Sequence, residues 1–114
     1  MSVAIKNLSA GTLSTGSLSV SKGPLTGKAW IVKSIILTNR ETTARTVDVK
    51  VAAVAGAGFI APPGMSIPGL STAIIDSEIT LAYSSGSVEQ ISILVGSASA
   101  TGVDYVMNGL ERDL

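Results

Sequence analysis

The chain has 114 residues, eight of them basic and eight acidic, and its formal net charge is zero. This length suits a single domain, and a neutral chain without a basic run is not expected to bind nucleic acid. Cysteine and histidine are both absent, which excludes disulfides and thiol chemistry and removes the commonest general base and zinc ligand.

The first element in chain order is a polar segment, residues 1–10. It lacks the charged start and apolar run of a secretory signal. We expect this segment to be extended and to be held either by a partner chain or by the far edge of the same domain. No later stretch approaches the roughly 20 apolar residues of a membrane-spanning helix, so no membrane partner is predicted.

Apolar and polar side chains alternate along most of the chain, which is the pattern of half-buried strands. With turn residues between them, the alternating segments are 11–20, 29–39, 46–51, 70–76, 78–83, 88–96 and 103–111. Pro62, Pro63 and Pro68 exclude the intervening segment from a central strand. About seven to eight short strands with no helix-length stripe predict an all-β fold. We expect one antiparallel β-sandwich, jelly-roll or Ig-like, over residues 1–114.

Residues 29–51 read as two strands joined by a turn at 40–43. In the second strand Val47, Val49 and Val51 share one face, and they should oppose the core-facing residues of the first. This register places Trp30, Val32, Ser34 and Ile36 inward. Trp30, the largest apolar side chain, is the predicted core anchor.

The same register turns Ile31, Ile35 and Leu37 outward beside Lys33. Exposed apolar patches of a few hundred Å² usually mark an interface, so these three residues are the predicted subunit interface. The alternative is that a loop of the same chain, such as the proline-bearing segment, covers them.

Candidate chemistry is sparse. Asp76 and Glu78 would share a face of a strand, where a carboxylate pair could bind calcium or act as acid and base, but a solvated strand end is the more ordinary interpretation. Tyr83 and Tyr105 could stack on a sugar, yet tyrosines on such strands are more often core residues. No serine has a histidine partner. We therefore expect no enzyme activity, no catalytic residue, no cofactor and no metal.

The layout of residues 28–111 resembles that of small β-sandwich virion proteins of tailed bacteriophages. The matching features are "KSIILTN" at 33–39, the Val-alternating strand at 46–51, the proline-bearing segment, "ITL" at 79–81 and "VDYVMNGLE" at 103–111. The resemblance implies a protein that decorates or cements a capsid, or sits in a neck or tail. It implies no catalytic residues.

Three hypotheses follow. The first is a capsid decoration (cement) protein in the virion, assembled in the bacterial host cytoplasm. Its partners would be copies of itself, with a trimer suggested by the local symmetry of capsid lattices, and the major capsid protein or other virion proteins. The second is a neck, tail or fibre-base component. The third is a carbohydrate- or ligand-binding β-sandwich, which would need a concave cluster of exposed aromatic and acidic residues.

Overall fold

The computed structural model describes residues 3–53, 56–84 and 87–114. Over these ranges the fold is all-β, and no helix long and apolar enough to cross a membrane is present. The strands are β1 Val3–Leu13, β2 Ser19–Lys22, β3 Lys28–Asn39, β4 Arg45–Ala53, β5 Gly56–Phe59, β6 Met65–Ile67, β7 Thr72–Ile75, β8 Ile79–Ser84, β9 Ser87–Val88, β10 Gln90–Val95 and β11 Val103–Asp113.

Two antiparallel sheets form a sandwich. One has the order β1-β11-β3-β8-β9, with β7 also paired to β3; the other has the order β2-β10-β4-β5, with β6 also paired to β4. β7 and β8 lie in one line along β3, and β5 and β6 lie in one line along β4. With the two-residue β9 set aside, eight strand positions remain. The structure separates eleven strands, more than predicted, because the predicted segments did not include β5 or β6 and did not divide β1 from β2 or β9 from β10.

The pairing of these eight positions is nested. The first pairs with the last (β1 with β11), the second with the seventh (β2 with β10), the third with the sixth (β3 with β7 and β8), and the fourth with the fifth (β4 with β5 and β6). One long hairpin rolled up into two facing sheets gives this pattern, which is the jelly roll. The structure thus selects the jelly-roll alternative over the Ig-like one.

The predicted hairpin between β3 and β4 is wrong. The two strands belong to different sheets, and residues 40–44 carry the chain across one end of the sandwich. β3 pairs with β11, β7 and β8, whereas β4 pairs with β10, β5 and β6. A short polar connection looks the same in sequence whether the chain turns within a sheet or crosses to the other one.

A β-bulge in β3 changes which side chains face the core. Asn108 of β11 pairs with Ser34 and Gly109 pairs with Val32, so Lys33 is the extra residue. Ser34 and Lys33 both lie on the outer side. From Ile35 onward the odd-numbered residues of β3 face the core, whereas before the bulge the even-numbered ones do. Trp30 and Val32 therefore face inward before the bulge, and Ile35 and Leu37 face inward after it.

The predicted outward positions of Ile35 and Leu37 are consequently wrong. Both side chains are 0% exposed and lie in the core between the sheets. Of the three residues expected at an interface, only Ile31 lies on the outer face, where it is half-buried. Ile36, which the uninterrupted alternation placed in the core, also lies on the outer face.

The core is mostly aliphatic, with Trp30 and Tyr105 as its aromatic members. Its fully buried members come from both sheets and include Val32, Leu81, Ile91, Ile93 and Met107. Trp30 is 7% exposed and belongs to this core, and its indole Nε1 donates a hydrogen bond to Glu111 Oε2 at 3.0 Å. The only polar atom of the indole is thereby satisfied where it leaves the apolar interior.

Gly109 fits the bulge because it has no side chain. A Cβ at this position would lie 2.0 Å from the backbone oxygen of Ile31, whereas a Cβ at Gly58 would meet nothing within 4 Å. We expect Gly109→Ala to destabilise the domain by about 1–3 kcal/mol or more, because backbone would have to move. Gly58→Ala, the matched control, should change the urea midpoint little. Equal midpoints for the two variants would contradict the bulge.

The N-terminal segment is described from Val3 onward, and residues 1–2 lie outside the described part. Its backbone forms the beginning of β1, which pairs with β11 from Val3↔Arg112 to Leu13↔Val103 with one irregularity between Asn7 and Ser9. The segment is thus an edge strand of the six-stranded sheet. Contact between residues 1–10 and a partner stays a prediction.

Candidate functional site

The outer face of the six-stranded sheet carries an apolar row that crosses four neighbouring strands. Residues directly opposite each other on paired strands share a face, and the register joins Ala10 of β1, Val106 of β11, Ile36 of β3 and Ile74 of β7. Ala10 is exposed, Val106 and Ile36 are half-buried, and Ile74 is 65% exposed. We call these four residues the apolar row.

Ile31 and Leu110 form a separate apolar pair toward the other end of the sheet, beyond the polar pair Asn108 and Ser34. They are paired with each other across β3 and β11, and both are half-buried. The apolar character of β3 on both sides therefore has two sources. The bulge returns Ile35 and Leu37 to the core, and the remaining isoleucines face outward on a surface that no part of the described chain covers completely.

Polar residues border the apolar row on both sides. Thr12, Asp104, Thr38 and Thr72 form the neighbouring row toward one end, and Asn7, Asn108 and Ser34 form the neighbouring row toward the other. Asp104 accepts a hydrogen bond from Thr12 Oγ1 at 2.6 Å and pairs with Arg40 Nε at 3.1 Å. Because its charge is already compensated within the chain, this carboxylate would not repel a partner on the face.

The outer face of the other sheet is different. The corresponding positions on β2, β10 and β4 are mostly polar, namely Ser19, Ser21, Gln90, Ser92, Asp48 and Lys50. Its large apolar residues, Leu94 and Phe59, are separated from each other, and Lys50 Nζ lies 4.9 Å from the centre of the Phe59 ring. Among the described side chains, the connected apolar row therefore lies on the six-stranded sheet.

A second candidate is a polar cluster at the end of the sandwich where the chain crosses between sheets. Glu41 is buried and accepts hydrogen bonds from Arg45 Nε at 2.8 Å, from Ser99 N at 2.9 Å and from Gly102 N at 3.1 Å. A depression of about 320 Å³ opens beside it, lined by residues of 40–45 together with Ser99 and Thr101. The carboxylate thus ties the 40–44 connection to the loop between β10 and β11.

Asn39 adds a third loop to the cluster. Its side-chain amide donates to the backbone oxygens of Thr43 at 2.9 Å and Ile67 at 3.0 Å, and its Oδ1 accepts from Glu41 N at 3.0 Å. Arg40 and Arg45 are also engaged, with Thr101 O at 2.7 Å and Ser97 Oγ at 3.0 Å. These donors and acceptors satisfy one another, so the cluster acts as a structural tie.

The cluster predicts a pH dependence. Burial raises the pKa of the Glu41 carboxyl, but hydrogen bonds from Arg45 and the Ser99 backbone, with the charge of Arg45, outweigh burial and hold the pKa below its ordinary 4.5. Because the pKa of Glu41 is lower in the folded state than in the unfolded chain, its ionised carboxylate stabilises the fold above pH 4.5. This stabilisation is lost as the pH falls through the folded-state pKa.

We therefore expect the thermal midpoint of the wild type to fall on acidification below pH 4.5, with part of that fall absent in Glu41→Gln. At pH 7, Glu41→Gln should lower the midpoint by several degrees, because its amide turns a donor toward the donors around it. The control is Glu78→Gln, since Glu78 pairs with Lys33 at 2.7 Å on the surface. Identical pH profiles for the wild type and Glu41→Gln would contradict this role.

The other residues singled out in the sequence do not form a site. Asp76 and Glu78 are exposed and follow β7, and Glu78 is engaged by Lys33. Tyr105 is buried in the core and Tyr83 is half-buried, so they do not form a stacking pair on the surface. Among the described residues no group of three or more His, Cys, Asp or Glu side chains could hold a metal ion.

Comparison with known proteins agrees with the fold. The Drosophila NLP core, whose structure was described for pentamer formation and histone binding, superimposes with a TM-score of 0.55 at 17% identity, covering 92% of this chain and 98% of that one. A chain of the infectious bursal disease virus Gx strain superimposes with a TM-score of 0.51 at 6% identity, covering 96% of this chain and 32% of that one. No family model and no curated protein matches the chain.

Proposed function

We propose that this chain is a structural virion protein that associates with copies of itself and decorates and cements a bacteriophage capsid. The observation that supports it most is the contrast between the two outer faces. One carries the apolar row across four strands, and the other is polar. A protein that buries one surface against copies of itself and against a capsid needs such a face. A soluble monomer gains nothing from an exposed apolar surface.

Three further features support the proposal. The layout of residues 28–111 resembles that of small β-sandwich virion proteins of tailed phages. The sandwich needs no disulfide, since cysteine is absent, so it can form in a bacterial cytoplasm before it joins a virion. Its fold is also like that of a chain in a virus structure and like that of a core described for pentamer formation.

The histone binding named for the NLP core is not proposed for this chain. Histones are basic, and a chaperone for them needs excess negative charge. Here eight acidic residues are balanced by eight basic ones, and the acidic residues are spread along the sequence. A sugar-binding role is likewise not supported, because the concave aromatic cluster that it requires is missing from the described surface.

Counting copies in purified virions that contain this chain tests the proposal. Quantitative mass spectrometry against the major capsid protein should give hundreds of copies for a decoration protein. A dozen or fewer copies would place the chain in a neck or tail and overturn the cement role while keeping the virion role. Absence from purified particles would overturn both.

A further inference from the structure

The size of the whole outer face of the six-stranded sheet, with its apolar row and polar borders, decides what can cover it. β1, β11 and β3 are 11 or 12 residues long. At ~3.3 Å per residue and ~4.8 Å between strands, four strand positions form a face of roughly 36 by 19 Å, or about 700 Å². A stable two-protein interface removes about 800 Å² from each partner. One sheet face of this chain therefore comes close to what a dimer needs, without help from the rest of the molecule.

The pattern on the face is suited to a second copy of itself. The apolar row lies between two rows of polar residues that are neutral except for Asp104, whose carboxylate is compensated by Arg40 and Thr12 within the chain. Two such faces can meet without placing like charges together. In these rows a basic or acidic partner would find no uncompensated charge, because Asp104 pairs with Arg40, and Lys33 on the same side pairs with Glu78.

The two ends of the apolar row differ in size. Ala10 is the smallest side chain of the row and lies on one edge strand, whereas Ile74 lies at the opposite edge and is 65% exposed. A two-fold axis parallel to the strands would place Ile74 of each copy over Ala10 of the other. An axis along the row would instead place Ile74 against Ile74 and leave a gap between the alanines, which loses contact.

We infer that two copies pack face to face through the six-stranded sheet, about a two-fold axis parallel to its strands, with Val106 and Ile36 at the centre. This inference rests on the self-association in the proposed function and names the surface and symmetry that it uses. Such a contact closes on itself, so its product is a dimer. A higher assembly, including the trimer suggested by capsid symmetry, would need a further surface.

The absence of cysteine makes cross-linking a clean test. Facing sheets lie ~10 Å apart, too far for a disulfide, so a short bismaleimide that joins two thiols is the probe. In Ala10→Cys/Ile74→Cys the two thiols of one chain are three strand spacings apart, and the reagent should convert most of the protein to a dimer and no further. Each single variant should give at least several-fold less dimer, and Leu94→Cys on the other sheet should give none.

Each of the other cross-linking or scattering outcomes would overturn part or all of this inference. Efficient cross-linking of either single variant would overturn the axis in favour of one along the row. A ladder above the dimer with the double variant would indicate a head-to-tail ring and overturn the two-fold contact. A monomer by light scattering at every concentration tested would overturn the inference entirely. The copy number in purified virions is measured separately, so a cement protein that uses another surface would still be recognised.

Discussion

Replacing Ile35 with Asp should unfold the domain, whereas the same change at the next residue, Ile36, should leave it folded. Ile35 is 0% exposed in the core, and Ile36 lies half-buried on the outer face. A carboxylate at Ile35 would lose its hydration among aliphatic side chains and remove their packing, at a cost of several kcal/mol. Against a total stability of about 5–15 kcal/mol, that loss is enough to unfold a small domain.

The pair of variants separates packing from association. Circular dichroism should show loss of the β signal for Ile35→Asp and its retention for Ile36→Asp. Light scattering should show that Ile36→Asp is monomeric under conditions where the wild type associates. A folded Ile35→Asp protein would mean that the bulge at Lys33 is absent and that the alternation runs uninterrupted. An associated Ile36→Asp protein would move the contact away from this face.

Trp30→Ala should cost about 3–5 kcal/mol of unfolding free energy, the usual range when a large aromatic side chain is removed from a core. Trp30 is 7% exposed, and it is the only tryptophan of a chain that has four aromatic residues in all, so little else can fill its volume. Urea denaturation followed by circular dichroism measures the loss without relying on tryptophan fluorescence.

Trp30→Phe is the matched control for this variant. It keeps an aromatic ring in the core but removes the Nε1 donor that bonds to Glu111, so it should be clearly less destabilising than Trp30→Ala. Equal losses for the two variants would mean that the hydrogen bond matters more than the buried ring. A loss below about 1 kcal/mol for Trp30→Ala would contradict the role of Trp30 as a core anchor.

The fold class could be predicted because strand alternation is a local property. Val47 and Val49 on one strand, and Ile91 and Ile93 on another, keep a period of two and all four lie in the core. The topology could not be predicted in the same way. The connection at 40–44 is short and polar like a hairpin turn, and it is the strand pairings that show that it crosses the sandwich.

The predicted interface failed for a different reason, which is a single inserted residue. A strand pattern is read on the assumption that its alternation is continuous, and one bulge reverses every side chain beyond it. A signal was present: Trp30 and Val32 alternate in one phase, Ile35 and Leu37 in the other, and two polar residues separate them. The outer apolar row could not be found at all without the register, because its members come from four strands that are distant in sequence.

The pairing of β1 with β11 affects how the protein is made. β1 is synthesised before the nine strands that separate it from its partner, β11. At roughly 5–20 residues per second, β1 waits on the order of 5–20 s for that partner. Throughout that wait its backbone edge is open to neighbouring chains, and the polar residues Lys6, Asn7, Ser9 and Thr12 that interrupt its sequence should discourage stray pairing. We expect β4 to pair with β5 early and β1 to meet β11 last, so that this final pairing governs both the folding rate and the yield from crowded cells.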